Sequence, residues 1–316
     1  MKVLVAGATG AVGRPLVSQL VATDFEVFGL TRSASRADAL RAAGAEAVIC
    51  DVLDGPALSD AVHAVKPDII IDQLSSLSPD YNARKLAKIY APNNRVRHVG
   101  TAALVAAAKE VGVRRYILQS IAFLYEPDGR GIKSEDDAPY IGAPAPFGEV
   151  VRIVVHNERL VTQAGEFDGL ALRYGLFYGP GTWFASDGSI AKQTRQRQFP
   201  VGGGGEGVAS FVHVHDAAAA AVRAASGGRP GIYNIVDDDP TPMREWLPKY
   251  AERIGAKPPR RVPAWLVRLA ANDFLAKSAT RACGADNARA KAELAWQPGI
   301  ASWREGFERY LDQSPV

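Results

Sequence analysis

The sequence predicts an α/β fold in which a parallel sheet is covered by helices on both faces. Short apolar runs rich in β-branched residues alternate with stretches of helical periodicity through the first two-thirds of the chain. A glycine-rich turn at residues 7–13 directly follows the first run and opens a helix. Together these features are typical of a Rossmann-type doubly wound parallel sheet. A change of composition after residue 180 predicts, in addition, a smaller C-terminal substrate lobe.

The strands are predicted at seven short, almost continuously apolar segments. In chain order they read KVLVAG, FEVFGLTR, EAVICDV, DIIIDQLS, RRYILQSI, GLALRYGLF and GIYNIVD. Strands buried on both faces lack the alternation of a half-exposed sheet, as these segments do. The stretches between them have helical spacing, and a further helix is predicted at about residues 216–225. The segment VGGGGEGVASFVHV has the glycine-rich pattern of a β-hairpin.

The composition is that of an ordinary globular protein. The net charge of +3 comes from 37 basic and 34 acidic residues without a long run of one sign, which argues against a nucleic-acid partner. The two cysteines, Cys50 and Cys283, fit a reducing compartment. No apolar stretch approaches the roughly 18 residues of a membrane helix, and the N-terminal run breaks at glycines like a buried strand. We therefore expect a cytoplasmic protein that binds neither nucleic acid nor membrane.

The glycine-rich turn GATGAVG predicts a dinucleotide-binding site. Gly7 permits a tight turn, Gly10 lets the backbone approach a pyrophosphate, and Gly13 lets helix and strand pack closely. The helix that follows offers free N–H groups and the positive end of its dipole to the phosphates. The residues between the glycines, Thr9, Ala11 and Val12, belong to the same predicted site.

The end of the second predicted strand favours NADP(H) as the dinucleotide, with NAD(H) possible. A carboxylate usually binds the ribose 2′-hydroxyl at this point, but the sequence has Arg32 and Arg36 there. Guanidinium groups suit a 2′-phosphate, although two solvated surface arginines would look the same in sequence. Asp51, at the end of the third strand, could contact the adenine amino group or cap a helix.

These motifs resemble the extended short-chain dehydrogenase/reductase family, the group of NAD-dependent epimerases and dehydratases. VAGATGAVG resembles its glycine motif, CDV its adenine-contacting motif, LRYGLFYGPG the segment along the nicotinamide, and FVHVHDAAAA a late marker. The resemblance implies an NAD(P)-binding domain at residues 1–180 that is re-entered near 208–236, and a mostly substrate-binding lobe at 181–316. It adds Val52, Leu74, Ser120, Tyr174 and Leu176 to the cofactor-binding residues.

The sequence departs from this family at the positions of its acid–base chemistry. The family uses a serine or threonine and a Tyr-x-x-x-Lys pair, with a glutamate four residues after the lysine. Glu158 fits that glutamate, which puts Val154 at the lysine, Val150 at the tyrosine and Ile121 at the serine. Valine cannot transfer a proton. Because Val150 and Val154 are four residues apart on one helix, we expect them to form an apolar floor.

Other residues must then supply any chemistry. Tyr140 and Ser120 are the candidate proton donors, although a packed loop tyrosine and a turn serine are equally good interpretations. Substrate contacts are predicted at Tyr125, Tyr178, Trp183 and Phe184, and this aromatic wall suits an apolar or ring-bearing substrate.

Charged residues near the predicted wall have simpler explanations. The H-x-H-D pattern at His213 and His215 lacks a third ligand, so no metal is expected. In a sugar-nucleotide enzyme, Lys192, Arg195 and Arg197 could bind a diphosphate, but a solvated helix face is the simpler interpretation.

Three functions are compatible with these features. The first is an NADP(H)-dependent oxidoreductase or epimerase acting on a small-molecule carbonyl or alcohol with a rearranged acid–base set. The second is a non-redox cyclase, isomerase or lyase on the same fold, and the third is a non-catalytic NADP(H)-binding sensor. We favour the first, and the apolar VVRIVV helix face would suit a homodimer contact as well as plain burial.

Overall fold

The computed structural model describes residues 1–129, 131–270 and 272–311. Within them, seven parallel strands form one sheet in the order β12-β7-β5-β4-β1-β2-β3, and four short two-stranded pairs lie outside it. The strands are β1 Lys2–Ala6, β2 Glu26–Thr31, β3 Glu46–Ile49, β4 Ile69–Asp72, β5 Arg115–Ile121, β6 Ile132–Lys133, β7 Asp168–Tyr174, β8 Leu176–Tyr178, β9 Val201–Gly202, β10 Val208–Ala209, β11 Phe211–His213, β12 Gly231–Ile235, β13 Thr241–Pro242, β14 Arg261–Val262 and β15 Gly284–Ala285. The predicted doubly wound fold is confirmed.

Helices follow most of the sheet strands. They are α1 Gly13–Val21, α2 Ala34–Ala42, α3 Gly55–Val65, α4 Leu86–Arg95, α5 Thr101–Val111, α6 Phe147–Thr162, α7 Ser189–Arg195, α8 Val214–Ser226, α9 Met243–Arg253, α10 Ala264–Ala270, α11 Asp273–Arg281, α12 Ala288–Glu293 and α13 Trp303–Leu311. A π-helical turn, Val96–Gly100, joins α4 to α5, and 3₁₀ turns lie at Ala83–Lys85 and Ala122–Leu124.

The sheet is buried on both faces because successive strand residues point to opposite sides. Val3 and Val5 of β1 pack with α1 and α8 in one apolar cluster. Leu4 of the same strand points the other way and packs with α3 and α5 in a second cluster. This explains why the strand sequences are continuously apolar.

The sixth predicted strand is interrupted at Gly175. β7 stays in the main sheet, whereas β8 pairs with β11. A Cβ at residue 175 would lie 2.6 Å from the carbonyl oxygen of Ser210, so the change of partner brings two backbones into a contact that only glycine permits.

The predicted hairpin in VGGGGEGVASFVHV is wrong. β9 pairs with β14, β10 with β13 and β11 with β8, so no two strands of the segment pair with each other. The glycines serve a different purpose, because Gly203 and Gly205 have positive φ and let the chain turn between partners distant in sequence. An aromatic cluster around Phe211, Trp246 and Phe307 packs beneath these short pairs.

Candidate active site

The glycine-rich turn after β1 has the shape of a phosphate cradle. Gly7 has a φ of +80°, and a Cβ there would lie 2.4 Å from the carbonyl oxygen of Gln73. A Cβ on Gly13 would lie 2.1 Å from the carbonyl oxygen of Gly7. Only glycine fits either position, so the turn brings bare backbone to the sheet edge.

The start of α1 leaves its amide groups available to a ligand. Val12 at the N-cap makes no side-chain capping hydrogen bond, and no acidic residue lies in the first turn. Gly10 N–H is directed to the carbonyl oxygen of Gly7 at 3.0 Å, which fixes the turn. Thr9 and Ala11 are half-buried beside this opening. A dinucleotide pyrophosphate fits such an open helix start, as the sequence predicts.

The residues predicted to contact the adenosine half lie at the ends of β2, β3 and β4. Arg32 and Arg36 are exposed, and neither side chain forms an ion pair or hydrogen bond with another residue in the described part of the chain. Val52 and Leu74 are buried and both pack against Gly100. Asp51 accepts a hydrogen bond from Leu53 N–H at 3.0 Å and does not cap a helix.

The cap of the following helix is Asp54, not Asp51. Its carboxylate accepts a hydrogen bond from Ala57 N–H at 3.2 Å at the start of α3. Of the two interpretations of Asp51 left open by the sequence, the helix cap is therefore excluded.

A mostly apolar cavity of about 290 Å³ opens at the carboxyl edge of the sheet. Its wall is built from α4, the ends of β5 and β8, α6, α7, α9 and α11. Among the predicted residues, Tyr125, Leu176, Trp183 and Phe184 line it. The sequence did not identify the residues that α4, the π-helical turn after it and α11 contribute, which include Tyr90, Asn93, Arg97, Phe274 and Ser278.

One side of the cavity has the apolar floor that the sequence predicts. Ile121, Val150 and Val154 are at most 8% exposed and belong to one apolar cluster. Ile121 and Val150 are directly at the cavity wall. This part of the wall is therefore hydrocarbon and contains no side chain that could transfer a proton.

A buried polar network lies behind this wall. The guanidinium of Arg173 donates two hydrogen bonds to the carboxylate of Glu158, at 2.8 and 2.7 Å, and both side chains are at most 3% exposed. It also donates to the hydroxyl of Tyr125 at 3.0 Å, which in turn donates to Asn234 at 2.9 Å. The network therefore holds Tyr125 in the cavity wall. Burial raises the pKa of Tyr125, so this phenol stays protonated at neutral pH.

Neither candidate proton donor reaches the cavity wall. Ser120 is fully buried, and its hydroxyl donates to the carboxylate of Glu158. Tyr140 is half-buried against the cluster that contains Val150, but it does not line the cavity. The geometry does not favour either residue as the donor.

The two remaining tyrosines of the predicted site lie in the core. Tyr174 is fully buried, and its hydroxyl accepts a hydrogen bond from Gln73 at 3.3 Å beneath the cradle. Tyr178 was expected to contact substrate, but it is fully buried in the aromatic cluster beside Phe307 and does not line the cavity. Its ring packs against the backbone of Gly306, which fixes it away from the site.

The H-x-H-D segment has a structural role. His213 Nδ1 accepts the N–H of His215 at the start of α8, and burial lowers the pKa of His213 to about 4. Asp216 accepts the N–H groups of Gly299 and Ile300. Among the described residues there is no group of three or more side chains arranged to hold a metal ion. The same part of the chain contains no helix that is long and apolar enough to cross a membrane.

The fold, the glycine cradle and the cavity at the carboxyl edge define a class of enzyme. The chain matches the NAD dependent epimerase/dehydratase family over residues 3–236. It therefore belongs to this family of extended short-chain dehydrogenases/reductases, and it is an enzyme of the NAD(P)-dependent oxidoreductase or epimerase type.

Individual relatives include both reductases and epimerases. The chain is 43% identical over 310 residues to the 3-diazoavenalumate denitrifying reductase of a Streptomyces species, a match that covers 98% of this chain and 100% of the relative. It is 28% identical to the UDP-glucose 4-epimerase of Mycolicibacterium smegmatis, with 95% of each chain covered. The solved UDP-glucose 4-epimerase of Thermotoga maritima with UDP-glucose has a TM-score of 0.77 at 19% identity, covering 99% of this chain and 98% of that one.

A second solved structure has the same fold. A human epimerase family protein with NADPH has a TM-score of 0.73 at 18% identity, covering 99% of this chain and all of the other. At these identities the solved structures establish the shared fold and nothing finer.

Proposed function

We propose that the protein is an NADP(H)-dependent reductase that transfers hydride to a diazonium group on an apolar, ring-bearing substrate and releases N₂. The observation that carries the proposal is the apolar floor of Ile121, Val150 and Val154. The name of the Streptomyces relative, which is 43% identical to this chain, supports the diazo group and the loss of nitrogen.

An apolar floor disfavours carbonyl reduction and epimerisation. Hydride addition to a carbonyl carbon creates an alkoxide, which needs a proton in the transition state. Epimerisation through a ketone needs a base that removes a hydroxyl proton. Neither group is present at the floor, and Tyr140 and Ser120 do not reach the cavity.

A diazonium group needs no such acid. A bound nicotinamide would supply a hydride, and addition of that hydride to the terminal nitrogen would form an N–H bond and neutralise the positive charge of the substrate. The resulting diazene then loses N₂: the C–N bond breaks, and a C–H bond forms as the N–H bond breaks. The balance is R–N₂⁺ + NADPH → R–H + N₂ + NADP⁺. The protein needs to bind both partners, orient them and exclude water, which an apolar wall does well.

The cavity wall also favours a ring over a sugar nucleotide. Trp183 and Phe184 give one side of the cavity an aromatic surface, and Tyr81 packs edge-on against Trp183 at 5.1 Å. Arg195, a candidate for a diphosphate, instead donates to the carbonyl oxygens of Ile254 and Ser186. Lys192 and Arg197 do not line the cavity either.

The test of this function uses an ortho-hydroxyarenediazonium ion as substrate. We expect NADPH loss and N₂ release in a one-to-one ratio, measured by absorbance and by mass spectrometry of ¹⁵N-labelled gas. Because no residue delivers a proton in the hydride step, kcat should stay flat between about pH 6 and 8. The Tyr140→Phe variant should keep full activity.

The matched control is an aryl aldehyde of the same size. We expect its reduction to be at least roughly a hundredfold slower, since general acid catalysis is typically worth that much or more. Faster turnover of the aldehyde than of the diazonium ion would overturn the proposal. NADPH binding without consumption of either compound would favour a non-redox catalyst or a sensor.

The preference for NADP(H) rests on Arg32 and Arg36. Both residues are exposed, Arg32 directly after β2 and Arg36 in the first turn of α2, and neither is paired with a described carboxylate. We expect the Arg32→Ala/Arg36→Ala double variant to lose roughly tenfold to a hundredfold in NADPH affinity, as charge-assisted hydrogen bonds are lost.

NADH affinity of the same variant should change by less than about twofold, because NADH lacks the 2′-phosphate. Fluorescence titration of both nucleotides measures the two affinities. Equal losses of affinity for NADPH and NADH would show that the two arginines do not bind the 2′-phosphate.

A further inference from the structure

Arg97 is a buried cation at the wall of the cavity. It lies in the π-helical turn between α4 and α5, and its side chain is 6% exposed. Asn157 donates a hydrogen bond to the carbonyl oxygen of Arg97 at 2.8 Å, which fixes the backbone of the turn. The side chain faces the cavity from the same helix face as Tyr90 and Asn93.

The guanidinium of Arg97 has no partner among the described residues. Its Nε is buried without a hydrogen bond, and no carboxylate of the described residues forms an ion pair with it. A buried charge without a partner is costly, so proteins keep one where a ligand supplies the opposite charge. Burial lowers the pKa of Arg97, and the electrostatic attraction of Asp72 opposes this shift.

The nearest candidate counter-charge is already occupied. Asp72 is buried at the end of β4, and its oxygens accept hydrogen bonds from Leu74 N–H at 2.9 Å, from Thr101 at 2.7 Å and from Tyr116 at 2.9 Å. These neutral donors hold the carboxylate in place beside the start of α5. Asp72 attracts Arg97 only at a distance, so the fork of the guanidinium remains available from the cavity.

The rest of the wall is mostly hydrocarbon and aromatic, with neutral polar side chains that include Asn93, Ser210 and Ser278. Asn93 uses its side-chain oxygen to accept Ser76 N–H at 3.1 Å, and Tyr125 is held by Arg173. Arg97 is therefore the cationic group that lines this cavity within the described chain. A ligand that fills the cavity meets a mostly apolar surface and, at Arg97, one positively charged end.

We propose that Arg97 binds a carboxylate of the substrate, so that the enzyme acts on apolar, ring-bearing acids. The planar guanidinium matches a carboxylate with two parallel hydrogen bonds, and both gain strength from the low-dielectric wall. This substrate class rests on the proposed diazo reduction, since it concerns the same cavity. In that reaction, binding of the carboxylate to Arg97 orients the substrate, so that the opposite end of the substrate lies along the apolar floor.

The test measures binding and not turnover. Cinnamate and its neutral isostere cinnamamide are titrated by calorimetry into the full-length protein saturated with NADP⁺. We expect wild-type protein to bind cinnamate at least roughly tenfold more tightly than cinnamamide, because the neutral amide cannot form the charge-assisted hydrogen bonds that the carboxylate forms. Arg97→Met should abolish the preference while the affinity for cinnamamide stays the same. Arg97→Gln should behave like Arg97→Met, and it keeps the proposal testable if the methionine variant does not fold.

Arg95→Met is the matched control. Arg95 is the exposed last residue of α4, two positions before Arg97, and its replacement should leave both affinities unchanged. Thermal unfolding separates a structural role from a binding role. Without ligand, Arg97→Met should melt at the same or a higher temperature than wild type, because an unpaired buried charge is removed.

Several outcomes would overturn the proposal. These are equal binding of cinnamate and cinnamamide by wild type, a preference that survives in Arg97→Met, or a loss of NADP⁺ affinity in place of cinnamate affinity. Failure of the proposed reaction is distinguishable. A cinnamate preference without N₂ release leaves Arg97 as the acid anchor of a different reaction, whereas N₂ release without the preference rejects the anchor alone.

Discussion

Glu158→Leu is expected to destabilise the fold by about 3–5 kcal/mol, because it leaves the guanidinium of Arg173 buried without its counter-charge. Both side chains are at most 3% exposed, so water cannot replace the lost carboxylate. Ser120 would lose its hydrogen-bond acceptor in the same variant. Urea unfolding followed by circular dichroism measures the change in the free energy of unfolding.

A double variant tests whether the loss arises from the unpaired charge. Glu158→Leu/Arg173→Met removes both charges, and we expect it to regain most of the stability lost in Glu158→Leu. Tyr125 keeps its hydrogen bond to Asn234 in the double variant. Losses that simply add would instead mean that packing, not charge, makes these positions sensitive.

An exposed ion pair provides the comparison. Lys249 and Glu252 form one at 3.0 Å on the surface of α9, with side chains that are more than half exposed. Glu252→Gln should leave unfolding unchanged, since solvent screens such pairs. The contrast with Glu158 isolates the effect of burial.

The seven sheet strands could be predicted from sequence because their signal is local. Val3, Val5 and Leu4 are apolar on both faces of β1, and the same pattern recurs in the other sheet strands. The glycine cradle is equally local, since Gly7, Gly10 and Gly13 fall within seven residues. Such local patterns allow the fold to be predicted without knowledge of any long-range contact.

The cavity could not be predicted in the same way, because its wall brings together segments far apart in the chain. Phe274 and Ser278 of α11 face Tyr90 of α4 across more than 180 residues of sequence. Tyr90, Asn93 and Arg97 have the spacing of one helix face, and this was the signal for Arg97 that the sequence offered. The hairpin failed for the same reason, since the partners of β9 and β10 lie 33 to 60 residues downstream.

The apolar floor could be predicted from the sequence, whereas the residues that would act as proton donors in its place could not. Counting back from Glu158 identified Val150 and Val154, and the structure puts both beside Ile121. The substitutes proposed for them, Ser120 and Tyr140, were chosen by position along the chain. Position along the chain does not give the direction of a side chain, and the Ser120 hydroxyl points away from the cavity to Glu158 in the interior.

Gly13→Ala is expected to weaken NADPH binding by at least roughly a hundredfold, the equivalent of losing two charge-assisted hydrogen bonds. The added methyl would lie 2.1 Å from the carbonyl oxygen of Gly7 and 2.7 Å from the carbonyl oxygen of Ala8. Both contacts are with backbone, so the turn itself must move. The amide groups at the start of α1 would then no longer converge on one anion.

Gly142→Ala is the matched control for this substitution. Gly142 lies in the loop before α6, and a Cβ there would meet nothing within 4 Å. Its NADPH affinity should equal that of wild type, and fluorescence titration well below each variant's melting temperature measures both. If Gly13→Ala folds and still binds NADPH as tightly as Gly142→Ala does, the turn is not the phosphate site. The nucleotide would then have to be held by Arg32 and Arg36 without help from the helix dipole, which is a weaker arrangement than the open start of α1 provides.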